Sequence, residues 1–170
     1  AKNMYLITKF GSNYKSALMF CNNYIMVKSI LLPSGKVFLL DPKGNAQLLD
    51  TDGMPIWTGN LCYRQSAPND VILHNNALWV CYSEKNALLR FNLATMREEL
   101  RIGGNRSPFD KPRDLFLDGD KVMVSNYGSK KLTEINLNTY NVFFFFLFEE
   151  PVYQYVKVSD NRFALLKSGL

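Results

Sequence analysis

Asp70 and Asp114 are the side chains of this sequence best placed to do chemistry, each two residues after a proline and in matching surroundings forty-four residues apart. Carboxylates at equivalent places could line a channel and meet a cation or polar ligand. The simpler role is local, since an Asp there accepts backbone N–H bonds where a strand begins. His74 is the only histidine. A histidine-based metal cluster or a Ser-His-Asp relay would therefore have to be built on it alone, and in a hairpin turn it is expected to face solvent without a role. Asp118 and Asp120 could meet calcium, but the twelve-residue ligand spacing of a dedicated loop is missing, and hairpin chemistry accounts for them. No metal site and no cofactor is expected.

A second set is basic. Arg97, Arg101, Arg106, Lys111, Arg113, Lys130 and Lys131 bracket the loops after residue 96, with Phe109 and Tyr127 nearby. Cationic loops with interleaved aromatics can stack bases and hold phosphates, so RNA or DNA binding is one reading. Glu98, Glu99, Asp110 and Asp114 are interspersed and cancel much of that potential. The formal net charge of +5 is local to the start: residues 1–50 hold six lysines against two acids. Cys21, Cys62 and Cys81 show no paired or zinc-like spacing and read as buried thiols of a reducing, intracellular environment. The compartment stays open. Phe143-Phe144-Phe145-Phe146-Leu147-Phe148 is apolar on both faces of a strand, which implies burial between sheets or an exposed partner site; burial is the default. No stretch approaches the roughly 18 apolar residues that span a bilayer, and the first ten residues lack a signal-peptide order.

The elements that position these residues follow from a repeat. Pro68–Thr95 aligns on Pro112–Thr139 without a gap, with identities at Pro68/Pro112, Asp70/Asp114, Leu73/Leu117, Val80/Val124, Leu88/Leu132, Asn92/Asn136, Leu93/Leu137 and Thr95/Thr139. A shorter kernel of apolar residue, polar turn and apolar run starts at Leu32, Leu73, Leu117 and Val158. Its Ser-Gly, Asn-Asn, Asp-Gly and Asp-Asn pairs tolerate positive φ, so each kernel predicts strand, turn, strand. Second polar breaks follow at 41–45, 83–86, 126–130 and 167–169. Third strands are predicted at Leu88–Leu93 and Leu132–Leu137, which alternate with period two, and fourth strands at Glu99–Ile102 and Val142–Phe148. Four strands in about 43 residues is the stoichiometry of a propeller blade. The expected fold is all-β: a β-propeller of four-stranded antiparallel blades, about four of them visible, in one domain over 1–170.

The run Val122-Met123-Val124-Ser125-Asn126-Tyr127-Gly128-Ser129-Lys130-Lys131-Leu132-Thr133-Glu134-Ile135-Asn136-Leu137, with the preceding Pro112-Arg113-Asp114-Leu115, resembles the Y-V-T-N class of β-propeller repeat and the related N-H-L class. The resemblance covers 68–139 well and the flanks weakly. It departs where Cys81-Tyr82-Ser83 replaces a polar-then-Asn turn. It implies a fold rather than a chemistry, because such propellers include binding platforms, surface-layer proteins and sugar- or lactone-acting enzymes. The phase of the ends suggests a piece of a longer propeller, or a ring whose first and last strands share a blade.

The favoured function is a non-catalytic binding or scaffold module for protein–protein interaction or assembly. Its partners would be a protein or further blades of the same propeller, and the candidate binding residues are Asp70, Asp114, Arg113, Tyr127, Lys130 and Lys131. A lactonase- or sugar-acting enzyme with a channel metal at Asp70 and Asp114 is the alternative. Nucleic-acid binding through the basic loops is the third reading.

Overall fold

A computed structural model describes residues 4–10, 13–20 and 28–166, with side chains from residue 28 onward. Cys21 and the polar break at 167–169 lie outside the described residues. Residue contacts divide the chain into two units, Ala1–Leu61 and Cys62–Leu170.

The first unit holds β1 (Met4–Phe10) paired with β2 (Asn13–Phe20), and a four-stranded antiparallel sheet of β3 (Lys28–Leu31), β4 (Val37–Leu40), β5 (Asn45–Leu49) and β6 (Pro55–Asn60) in sequence order. Polar breaks become turns because carboxylates satisfy them. Asp41 accepts the amides of Lys43 and Asn45, both at 2.8 Å, and Asp50 does the same for Asp52 and Met54. Phe38, Leu40 and Leu49 are fully buried.

The second unit holds two more four-stranded sheets. One consists of β7 (Asp70–His74), β8 (Ala77–Tyr82), β9 (Ala87–Asn92) and β10 (Glu98–Gly103). The next consists of β11 (Pro112–Asp118), β12 (Lys121–Asn126), β13 (Lys131–Asn136) and β14 (Val142–Leu147), and a hairpin of β15 (Val152–Val158) and β16 (Asn161–Leu166) follows. All pairings are antiparallel between neighbours in sequence, as expected for blades, and every anticipated strand falls within a residue or two of its predicted bounds. The break at Ser83–Lys85 is a single 3-10 turn.

The repeat identities have physical causes. Asn92 Oδ1 accepts the amides of Ala94 and Thr95, and Asn136 Oδ1 accepts those of Asn138 and Thr139. Both turns then place a residue at positive φ, Met96 and Tyr140. The amides of Leu93 and Leu137 reach back to the carbonyls of Asn76 and Asp120 in the preceding hairpin turns.

The fourth kernel needs a correction. Asp118 pairs with Lys121 around a two-residue turn, and Val158 with Asn161 around another. Asp118 therefore corresponds to Val158, forty residues on, and the match of Leu117 with Val158 slips by one. A one-residue slip exchanges the two faces of a strand, which is why Val158 is exposed while Leu115 and its true counterpart Tyr155 are buried.

Neighbouring sheets of this unit pack face to face. Ile72, Trp79, Cys81 and Leu88 meet Phe109, Leu115, Val122, Val124, Ile135 and Leu137 in one core. Met123 and Leu132 meet Val152 and Tyr155 in the next.

Two expectations about burial fail. Phe143 to Leu147 are exposed along β14, with Phe144 at 64%, because β14 is the outermost strand of its sheet. Cys62 is exposed while Cys81 is buried, since Cys62 lies in the connection before β7 rather than in a strand.

Candidate functional site

The repeat builds one position that varies in chemistry on a fixed frame. Pro112 pairs with Asn126 and Asp114 with Ser125, so Arg113 is the extra residue of a β-bulge; Tyr153 is the extra residue between Val152 and Gln154 in β15. Bulges re-aim a side chain. Here they bring the two together: the Arg113 guanidinium lies 3.8 Å from the centre of the Tyr153 ring and 5.5 Å from that of Tyr127, and donates to the Tyr153 hydroxyl. Tyr127 and Tyr153 meet edge to face at 5.6 Å. The corresponding residues one repeat earlier are Asn69 and Ser83, where the Asn69 side chain accepts the Ser83 amide at 2.7 Å and the Ser83 hydroxyl donates to the Pro112 carbonyl at 2.5 Å. The same backbone places thus carry a small polar link at one junction and a cluster of one guanidinium and two phenols at the next.

The loop beside this cluster is held from both sides. The Asn86 side chain accepts the Lys111 amide at 2.7 Å, and that of Asn126 accepts the Asp110 amide at 3.0 Å. The amides of Tyr127 and Gly128 donate to the carbonyls of Lys111 and Asp110. Asn126 is itself buried, donating to Thr133 Oγ1 at 2.9 Å. A Cβ at Gly128 would lie 2.2 Å from Asp110 Oδ1 and 3.1 Å from the Asp110 carbonyl oxygen, so a larger residue there would have to turn the exposed Asp110 side chain aside.

The structure gathers only some of the candidates. Arg113 and Tyr127 meet, with Tyr153 as a third member that the sequence reading missed. Lys130 is exposed in the adjacent turn, and Lys131 lies over Phe144 with its ammonium 4.4 Å from the ring centre. Phe109 belongs to the core, and Arg101 pairs with Glu98 and lies over Tyr63. Asp70 is buried. Its Oδ1 accepts the Val71 amide at 2.8 Å and its Oδ2 accepts the Leu115 amide of the neighbouring sheet at 2.9 Å. Asp114 occupies the matching place in β11, opposite Ser125. Among the described residues no three His, Cys, Asp or Glu side chains gather as a metal-binding group.

At the hairpin ends the sheets are joined by polar side chains. His74 Nε2 is 2.9 Å from Asp120 Oδ1, and Lys157 Nζ is 2.9 Å from Asp118 Oδ2. The expectation of a solvent-facing, idle His74 therefore fails: the adjacent hairpin supplies its partner and covers it. The hydrogen bond from His74, helped by Asn138, holds the Asp120 carboxyl below its ordinary 3.8. A lowered folded-state value adds stability above the unfolded pKa, and that stability is lost as pH falls from about 5 through the lowered value. Thermal unfolding between pH 6 and 3 should thus be less pH-dependent in Asp120→Asn; identical slopes would exclude the pairing.

Comparison with known proteins now identifies the class. No protein-family model matches the sequence, and no curated protein does. Solved structures do match: the WD40 β-propeller domain of Doa1 (TM-score 0.71, 7% identity, 92% of this chain and 55% of that one) and the Pan2 WD40 domain of Neurospora crassa (0.66, 9%, 84% and 44%). The computationally designed Ika4 protein also matches, at 0.68 and 11% identity over 88% of this chain and 90% of its own. The chain spans about half of the two WD40 matches. At these identities the likeness establishes the fold alone, and that fold is a β-propeller repeat.

Proposed function

We propose that this chain is a non-catalytic propeller module that binds a protein partner through the loop edge bearing Lys111, Arg113, Tyr127, Lys130 and Tyr153. The observation that carries the reading is the Arg113 guanidinium held against the Tyr153 ring, with Tyr127 at its side, next to a loop fixed by Asn86 and Asn126. Arginine and tyrosine dominate the energetics of protein interfaces, and a side chain already ordered loses little further freedom on binding. A carboxylate or aromatic group of a partner suits such a site. Asp70, by contrast, uses both carboxylate oxygens on backbone amides, which supports a structural role over metal binding in a channel.

The test is a photo-crosslinking residue at Lys111 in the cell of origin. A specific protein adduct should form and should fall at least roughly thirtyfold in Arg113→Ala, the loss of about 2 kcal/mol expected of an interface hot spot. The same variant should unfold within about 1–2 kcal/mol of the parent, since only the cation–π contacts and the hydrogen bond to the part-buried Tyr153 hydroxyl are removed. Salt-sensitive RNA adducts would instead favour the nucleic-acid reading. A divalent metal retained through purification, and lost in Asp70→Ala, would favour the enzyme.

A further inference from the structure

The connection before β7 contains a tight turn that the blade itself does not need. Tyr63 and Ser66 exchange backbone hydrogen bonds, each at 2.9 Å. The two residues between them, Arg64 and Gln65, both lie at positive φ, 48° and 66°. This is the type I′ arrangement, which favours Asn-Gly because most residues with a Cβ resist that backbone. Such strain persists only where the surroundings hold it, and it gathers at functional sites. Here Ser66, 1% exposed, and the Tyr63 ring, edge to face with the fully buried Tyr82, hold the turn in place.

The turn folds Arg64 back over the ring of its own neighbour. Its guanidinium lies 5.3 Å from the centre of the Tyr63 ring, and Arg101 of β10 approaches the same ring at 4.6 Å. Arg101 also donates to Glu98. Arg64 is exposed and has no carboxylate partner among the described residues. Like charges gathered at one ring repel, and one carboxylate leaves a cation uncompensated.

Residues that serve the blade recur, as Asn92 and Asn136 do, but these do not. Forty-four residues beyond Tyr82 stands Asn126. Arg101, opposite Leu89, is answered by Phe144, opposite Thr133. Among the described residues the connection before β11 makes no bridge like that of Tyr63 and Ser66. A strained turn and two guanidiniums at one phenol, found once, point to a ligand rather than to stacking. A carboxylate is satisfied by one guanidinium fork, whereas the oxygens and double charge of a phosphate engage two forks at once.

We propose that Arg64 and Arg101 form a site for a phosphate monoester beside β10, with Tyr63 as the platform that sets their spacing. This site shares no residue with the Arg113 cluster, so the two readings stand or fall separately.

The test is a magnetic-resonance titration of the isotope-labelled full chain with inorganic phosphate, with a phosphoserine peptide, and with acetate at matched ionic strength. Both phosphate ligands should shift the amides of Tyr63 to Ser66 and of Arg101 to saturation, and acetate should not. The tighter of the two tells a protein-borne phosphate from a free one, and either order upholds the site. Arg64→Asn separates binding from folding, because Asn accepts the left-handed backbone. It should unfold no earlier than the parent and yet bind phosphate at least roughly tenfold more weakly, as expected for the loss of a charge-assisted bond. Arg101→Gln should lose as much, and Arg97→Gln, the same change at the other end of β10, should lose nothing. Equal shifts with acetate, undiminished binding in Arg64→Asn, an equal loss in Arg97→Gln, or preference of these residues for a uridine oligonucleotide over both phosphate ligands would each overturn the proposal.

Discussion

Replacing Trp79 by Ala should destabilise the second unit by about 3–5 kcal/mol, the usual cost of removing a large buried aromatic, and lower its melting temperature by roughly 10 °C or more. Trp79 is 1% exposed, sits in the core shared by two sheets, and reaches the Tyr140 ring of the next sheet at 6.0 Å between centres. Its loss opens a void between the two sheets, and hydrogen-bonded sheets linked by short turns have little means of closing it. Trp79→Phe separates packing from polarity. The indole Nε1 is buried without a hydrogen-bond partner, so the phenylalanine variant gives up no bond and should recover most of the loss. Calorimetry of the three proteins decides: if the phenylalanine variant is as unstable as the alanine variant, an unrecognised indole contact is at work.

Asp70→Ala should cost about 2–4 kcal/mol, because two backbone amides lose their carboxylate acceptor, one of them in the neighbouring sheet, and unsatisfied buried donors carry a penalty of about 1–3 kcal/mol each. The Asn variant keeps one oxygen and should fall between. Denaturant unfolding checks this directly. The channel-metal reading predicts the opposite pattern, a variant of unchanged stability that has lost a bound ion.

Most of the architecture can be read from local chemistry. Asn92 and Asn136 announce their turns because an Asx side chain caps them wherever it occurs, and most identities between Pro68–Thr95 and Pro112–Thr139 belong to contacts within a sheet, the exception being Asp70, which also accepts the Leu115 amide of the neighbouring sheet. What crosses between sheets is harder to see. Tyr153 is hidden in the sequence because Val158 answers to Asp118 and not to the leucine before it, which masks the correspondence of Tyr153 to Arg113 and Asn69. The pairing of His74 with Asp120 needs two hairpins of equal length side by side, which no single segment reveals. Periodicity shows that Phe143 to Phe148 are apolar on both faces but not whether another strand lies over them; that depends on the neighbour. Cys81-Tyr82-Ser83 departs from the polar turn at Asn126 because Tyr82, fully buried and edge-on to Tyr63 at 5.6 Å, fills the space differently, and burial drives its phenol pKa upward.

In the second unit, successive repeats form equivalent sheets that stack face to face. The most direct measurement is a nuclear Overhauser spectrum of the folded chain with selectively labelled tryptophan and tyrosine. Cross-peaks between the Trp79 indole and the Tyr140 ring are the predicted result, together with strand-like backbone contacts over both Asp70–Asn92 and Pro112–Asn136. Their absence, or sequential helical contacts across either segment, would contradict it.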